Sequence, residues 1–263
     1  MFRNVTMEKT IISIVTYNSK DIFQTLDQLK ANVIPFGEYE IVIYDNGSTE
    51  DYLERLATYD FVRLIRGKEN RGFGHGHNQV LLQAKNRYGI ICNPDILVEQ
   101  DSIALMLDKL AKTQAAMVCP KVLNSDLTTQ HLVRNRLTVF DYMLRFMPTV
   151  FTKRFFDKRL AKFECRDLPD DRDSYVKMAS GCFLVVDLAK FQAIGGFDER
   201  FFMYFEDNDL SLRFGAAQEK ILYTPFASVI HLYGKGAHKN GKLFRIFLQS
   251  MRRFFQKWGW QFF

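Results

Sequence analysis

Three acids, Glu206, Asp207 and Asp209, fall within four residues of the stretch FFMYFEDNDLSLR, where a helical pattern begins. Acids in a first helical turn satisfy free amides and the helix dipole, so capping is one reading. Two features go beyond it. Gly195-Gly196-Phe197-Asp198 upstream can fold the segment back, and Phe201, Phe202, Met203, Tyr204 and Phe205 supply apolar surroundings. A carboxylate partly removed from water beside a second one has a raised pKa and can serve as a general base, which makes Glu206 and Asp207 the catalytic candidates.

Four other stretches offer donors and ligands. Asn93-Pro94-Asp95 follows the run Gly89 to Cys92. It reads either as turn chemistry or as an oxygen site for a divalent cation. Thr16-Tyr17-Asn18 ends the run TIISIVT, and Asp45 ends YEIVIY. The stretch NRGFGHGHN, Asn70 to Asn78, has two glycines at dinucleotide-fingerprint spacing, but His77 stands where the third belongs. It also follows the third strand and not the first, so the dinucleotide reading fails. What remains is a flexible backbone near a helix N-terminus, able to approach a phosphate or sugar through Arg71, Gly72 and Asn78, or a plain strand-to-helix turn. The glycines between His75 and His77 argue for loop flexibility over a metal pair. His231 ends the run ASVIH, with the flexible stretch YGKGAHK beyond it, and a metal or phosphate role competes there with packing.

Strands and helices must bring these stretches together. The first 120 residues alternate: strands over Thr10–Thr16, Tyr39–Tyr44, Phe61–Arg66 and Tyr88–Cys92, and helices over Ser19–Ala31, from Ser48 or Thr49 to Leu56, Asn78–Arg87 and Asp101–Lys112. Ser19 is the expected cap of the first helix. Repeated β-α units imply an α/β fold with a parallel sheet covered on both faces. Ligands collect at the carboxyl ends of such strands, and three polar stretches on one rim make a nucleotide-sized site. Residues 138–172 read as basic, aromatic and irregular; Tyr175–Val186 reads as a strand broken at Ser180-Gly181, and Ile221–His231 as a strand.

Length and composition bound the rest. The 263 residues, 47% hydrophobic with 25 Phe, suffice for one large domain with an appendage. Net charge +6 suggests anionic partners. Cys92, Cys119, Cys165 and Cys182 lack C-x-x-C spacing and read as reduced cytosolic thiols. Neither a signal peptide nor a membrane-spanning run is expected. The tail KLFRIFLQSMRRFFQKWGWQFF puts Phe247, Phe254 and Trp258 on one helical face and Arg252 and Arg253 on the other, with no acid. It reads as an interfacial membrane helix, with a helix docked on its own domain as the competing reading. RFMPTVFTKRFFDKRLAKF, residues 145–163, has similar composition and reads as a second lipid-facing element or a lid. The basic residues cluster with apolar faces, so nucleic acid has little support as a partner.

The ordered set SIVTYN, VIYDNGS, ENRGFGHGHN, NPD, GGFDERFFMYFEDNDLSLR and a strand-end His resembles family 2 glycosyltransferases over residues 10–235. The forms GFGHGHN and NPD are most similar to the bacterial rhamnosyltransferase branch. The resemblance implies a GT-A fold, with a Rossmann-like, mostly parallel central sheet and helices on both faces. It implies a transferase domain over 1–236, with a nucleotide-binding half at 10–120 and an acceptor half at 121–236, and a basic aromatic helical extension at 237–263. It implies Thr16, Tyr17 and Asn18 beside the base, Asp45 accepting from the pyrimidine N3–H, and Gly181 beside the donor sugar. Asp95 and His231 would hold Mg²⁺ or Mn²⁺, with Asn93 replacing the first acid of a D-x-D motif, which leaves the metal requirement open. Asp207 would be the base of a single inverting displacement. The implied partners are a nucleotide sugar, dTDP-L-rhamnose first and a UDP-sugar second, and a polyprenyl-diphosphate-linked acceptor. The setting would be cytoplasmic, on the inner face of the membrane, in surface polysaccharide synthesis. A sugar-phosphate nucleotidyltransferase would carry a basic glycine-rich loop where TYNSKD stands. A non-catalytic membrane- or polyanion-binding protein on the same fold is the third reading.

Overall fold

The computed structural model describes residues 9–232 and 241–263. The stretch expected to be flexible after His231 lies outside them from 233 to 240, as do residues 1–8.

In the first half, β1 (Thr10–Thr16), β2 (Tyr39–Asp45), β3 (Val62–Arg66) and β4 (Tyr88–Cys92) alternate with α1 (Ile22–Asn32), α2 (Glu50–Leu56) and α3 (Phe73–Leu81). A short β5 (Ile96–Val98), α4 (Ser102–Thr113) and β6 (Met117–Leu123) follow. The second half contributes α5 (Val139–Leu144), α6 (Thr149–Phe163), β7 (Ser174–Val176), β8 (Phe183–Asp187), α7 (Leu188–Ala193), α8 (Glu206–Ala216), β9 (Ile221–His231) and α9 (Gly241–Trp258).

Among the described residues, nine strands join one sheet in the order β3-β2-β1-β4-β8-β6-β9-β5, with β7 also on β9. The first four are parallel, as the β-α repeats require. Beyond them β8 runs antiparallel between β4 and β6, so a strand of the second half sits at the centre of the first. The two expected halves therefore share one sheet.

Alternation along β1, β2 and β4 builds two cores. Ile12, Ile14, Ile41, Ile43 and Ile90 face α1 and α4. Ile11, Val15, Val42 and Ile91 face the opposite layer, which includes Leu81, Phe191, Leu210 and Phe214. A third cluster joins Tyr142, Phe163, Phe201, Phe205, Phe247, Phe254 and Phe255.

Several expectations change. Asp21 and not Ser19 occupies the N-cap of α1, and no side chain caps it. β5 was absent from the reading, and 138–172 folds largely into α5 and α6. The glycine-rich stretch is not a loop, because α3 begins at Phe73 and includes both histidines. Its glycines serve close packing: a Cβ on Gly74 would lie 2.8 Å from Phe197 Cβ, and one on Gly76 would lie 2.6 Å from Val15 Cγ2. His75 and His77 also diverge. His77 Nδ1 meets Ser13 Oγ at 2.8 Å, and burial lowers its pKa to about 3. His75 lies between Tyr44 and Glu199.

The interfacial reading of the last helix is also corrected. Phe247 and Phe254 are buried, and their rings pack on Phe205 at 5.4 and 5.3 Å. Trp258 donates its indole N–H to Asp209 at 2.8 Å. The face with enough aromatic area for a bilayer has the same area for its own domain, and the domain takes it. Arg252 and Arg253 remain exposed. Among the described residues, no helix is long and apolar enough to cross a membrane.

Candidate active site

In-register pairing brings the strand ends to one rim, with Thr16 beside Asp45 and Asp45 beside Arg66. The Thr16 hydroxyl bonds the Tyr52 hydroxyl. Asn18, at φ +50°, ties the two strand ends together. Its N–H donates to Ser48 Oγ at 2.8 Å, and its Oδ1 accepts from the Thr49 N–H at 3.0 Å. Tyr17 is 55% exposed above them. Asp45 Oδ2 accepts the Gly47 and Ser48 N–H groups at 2.9 and 3.0 Å, while buried Oδ1 has no partner. An orphaned carboxylate oxygen is costly unless a ligand donor completes it.

Asn46 fixes the next segment, accepting the Arg71 N–H at 3.3 Å and donating to the Gly72 carbonyl at 3.1 Å. The Arg71 guanidinium is exposed, 3.9 Å from Glu199. Asn78, expected to contact the donor, is buried and fully committed. Its amide donates to the Phe197 carbonyl and to Glu199, and accepts the Phe197 N–H at 2.8 Å. It struts α3 against the Gly195-Gly196 turn and cannot also bind a sugar.

At the end of β4, Asn93, Asp95 and His231 converge. His231 Nε2 lies 3.4 Å from both Asp95 Oδ1 and Asn93 Nδ2. Gln130 sets the tautomer. Its Nε2 donates to the His231 carbonyl at 3.0 Å, so its Oε1 must accept from His231 Nδ1–H at 3.1 Å. His231 Nε2 then faces the Asn93 amide and Asp95, whose buried Oδ1 has no hydrogen-bond partner. The Asp95 carboxylate and the imidazole nitrogen suit a divalent cation, and Asn93 adds its amide oxygen only once its amide turns over from the orientation that sets Nδ2 on His231. Among the described residues, no three His, Cys, Asp or Glu side chains form a metal cluster.

Asp207 lies next to this corner. Its Oδ2 accepts the Gly181 N–H at 3.0 Å, and the neighbouring Cys182 carbonyl accepts the Asn93 N–H at 2.9 Å. One dipeptide thus joins the base candidate to the cation corner. Gly181 leaves little room, since a Cβ there would lie 3.3 Å from Asp207 Cβ. Just before the acids, Tyr204 and Phe205 hold φ of +69° and +67°, a strained pair that the aromatic cluster locks.

The three acids have separate roles. Asp209 is fully buried and paired with Arg213, Lys257 and Trp258, so it is structural. Burial pushes Glu206 well above the ordinary glutamate range, and the Asp207 charge adds to this. Burial also raises Asp207, opposed by the Gly181 and Asn208 N–H groups. Asp207 is therefore the first of the pair to ionise, and Glu206 stays protonated beside it.

A carboxyl with a raised folded pKa binds its proton more tightly when folded. The stability it contributes is present at low pH and is lost as pH rises from the unfolded value through the folded one. Glu206→Gln should lose less stability than wild type between pH 5 and pH 8. Melting temperatures at both pH values check this, and parallel declines in the two proteins would remove Glu206 from the account.

Gln130, Asn46 and Glu199 were absent from the sequence reading. Gln130 lies in a polar loop without periodicity; its N–H bonds the Val122 carbonyl of β6, and β6 pairs with β9 beside His231.

The family model for glycosyl transferase family 2 matches residues 11–171, more than half of the chain. The chain is a family 2 glycosyltransferase. The transferase is 29% identical over 221 residues to the N-acetylglucosaminyl-diphospho-decaprenol L-rhamnosyltransferase of Mycobacterium tuberculosis, covering 77% of this chain and 68% of that one. It is 25% identical over 255 residues to rhamnosyltransferase WbbL of Escherichia coli, covering 92% and 91%. Solved structures confirm the GT-A fold. GalNAc-T7 with UDP, GalNAc and Mn²⁺ matches at TM-score 0.66 and 16% identity, over 95% of this chain and 48% of that one. The Pyrobaculum calidifontis mannosyltransferase PcManGT with GDP-Man and Mn²⁺ matches at TM-score 0.64 and 17% identity, over 95% and 64%. The chain thus spans about half and about two thirds of these two proteins.

Proposed function

We propose that this transferase moves L-rhamnose from dTDP-L-rhamnose, with inversion, onto a sugar carried by a polyprenyl diphosphate, at the cytoplasmic membrane surface during polysaccharide synthesis. The observation that carries the reading is Asp207, held by Gly181 one dipeptide away from Asn93, Asp95 and His231. Asn208 occupies Oδ1 through its N–H and its amide, and the lone pair left on Oδ2 takes the proton of an acceptor hydroxyl as that oxygen bonds to the anomeric carbon. The bond from that carbon to the diphosphate oxygen breaks in the same displacement, and dTDP leaves with the electron pair. One displacement inverts the centre, so no protein nucleophile is needed.

Asp45 Oδ1 is the acceptor available to the pyrimidine N3–H. Thymine and uracil both carry that donor, so a UDP-sugar is the second donor reading. Asp95, His231 and Asn93 would hold Mg²⁺ or Mn²⁺, which when bound neutralises charge on the diphosphate. The two rhamnosyltransferase relatives support the sugar, and the mycobacterial one supports the lipid carrier.

A donor screen on a lipid-linked GlcNAc acceptor, with and without Mn²⁺ or Mg²⁺, tests the reading. Turnover of dTDP-rhamnose is expected; turnover of UDP-sugars alone would sink the rhamnose assignment. Metal binding is tested separately. Asp95→Ala should weaken Mn²⁺ binding, and Gln130→Leu should weaken it by about tenfold through loss of ring orientation. Calorimetric titration with Mn²⁺ alone reads both, and isotherms identical to wild type would refute the cation site.

A further inference from the structure

Although α9 buries Phe247 and Phe254, exposed apolar surface remains around it. A dense run of it is the elbow between α5 and α6, where Met143, Phe146, Met147, Val150, Phe151 and Phe155 are all exposed, Val150 at 84% and Phe155 at 60%. Phe151 and Phe155 rings meet at 4.9 Å, and Phe146 meets Phe244 of α9 at 5.1 Å. Phe244 and the neighbouring Leu248 extend the patch. Adjacent large exposed apolar residues on a folded domain mark a surface that is covered in use.

Charge identifies the cover. Between Met143 and Phe163 the chain carries Arg145, Lys153, Arg154, Lys158, Arg159 and Lys162 against one acid, Asp157. Asp157 is itself paired with Arg166 at 2.8 Å, and Arg159 with the buried Asp141. The cations left at the surface are Arg145, Lys153, Arg154, Lys158 and Lys162, and the Arg154 guanidinium lies 5.8 Å from the Phe155 ring centre. Apolar rings among cations match an anionic lipid interface, where rings enter the headgroup region and cations meet phosphate.

Position supports the same partner. Tyr142 of α5 packs its ring on Phe205 at 4.8 Å, two residues before Asp207. A surface touching the elbow is thus one side-chain layer from the base.

We infer that the α5–α6 elbow, extended by Phe244 and Leu248, is the face through which the transferase docks on anionic phospholipid, delivering its lipid-borne acceptor to Asp207. The assignment rests on the lipid-borne acceptor proposed above and moves the membrane contact from the buried face of α9 to the elbow.

The test is co-sedimentation of the full chain with vesicles of phosphatidylcholine, alone or mixed with phosphatidylglycerol. Wild type should bind the mixed vesicles and release them as salt rises. Val150→Asp with Phe155→Asp, and separately Lys153→Glu with Arg154→Glu, should each lower binding by about tenfold or more. Both pairs should keep the wild-type melting temperature and transfer to a short-chain acceptor in detergent. Arg252→Glu with Arg253→Glu, on α9, should bind as wild type. Equal binding by wild type and both elbow variants overturns the inference, as does wild type binding neither vesicle. A wild-type dimer that Val150→Asp dissociates, without vesicle binding, overturns it in favour of a second copy. Elbow-dependent binding by a protein that turns over no dTDP-rhamnose leaves the docking face standing and removes the proposed donor.

Discussion

Asp207→Asn is expected to lower the transfer rate by about a thousandfold while leaving donor affinity within a few fold, since a positioned general base contributes roughly 10²–10⁴. The substitution is close to isosteric, and asparagine keeps an oxygen for the Gly181 N–H that holds the position at 3.0 Å. What it loses is the ability to take the acceptor proton. Glu206→Gln is the matched control. Glu206 is buried and held protonated, so the amide mimics its resting form and transfer should persist. Single-turnover rates with saturating donor, alongside nucleotide-binding isotherms, separate the two steps. Comparable rates for Asp207→Asn and wild type would mean that the proton leaves by another route.

The second large effect concerns a residue with no side chain. Gly72 holds φ of +96°, and a Cβ there would overlap the Phe202 carbonyl oxygen. That carbonyl also accepts the Phe73 N–H at 3.0 Å, and the Gly72 carbonyl accepts from Asn46. Gly72→Ala therefore meets backbone strain and a steric conflict that no flexible side chain can relieve. A loss of about 3 kcal/mol is expected, which for a domain of this size is roughly 6–12 °C in melting temperature. Gly215→Ala supplies the contrast. It lies within α8 with nothing near its would-be Cβ, so alanine there should be neutral or stabilising by up to about 1 kcal/mol. If both variants melt together with wild type, the close approach at Gly72 does not constrain the fold.

Much of the strand framework was legible because β-branched runs end at polar turns. β1, β4 and β9 have the bounds expected of them. Asp45 and the Glu206-Asp207 pair were legible as polar groups at strand and helix ends. The start of α3 was not. Gly74 and Gly76 weaken a helix by propensity, and their reason for being there is the proximity of Phe197, Val15 and Tyr44, side chains distant in sequence. The facing of α9 was equally hidden. An amphipathic pattern states that a helix has an apolar side, and only the third aromatic cluster decides what that side covers. Asn78 was misread for a related reason: a polar residue beside a glycine-rich stretch looks available until Phe197 and Glu199 occupy its amide.

The place of β8 has a kinetic side. β4 and β6 are complete by Leu123, yet the strand that joins them begins only at Phe183. During synthesis, both present unpaired backbone edges while about sixty further residues emerge, α5 and α6 with their exposed aromatic rings among them. Open edges beside apolar surface are where nascent chains pair wrongly. Closing the sheet is thus a long-range, late event, and it is also the event that places Gly181 and Cys182 between Asp207 and Asn93. The reactive geometry depends on the same strand, with Asp207 and His231 following it in the chain, so a chain that stalls before Phe183 has neither.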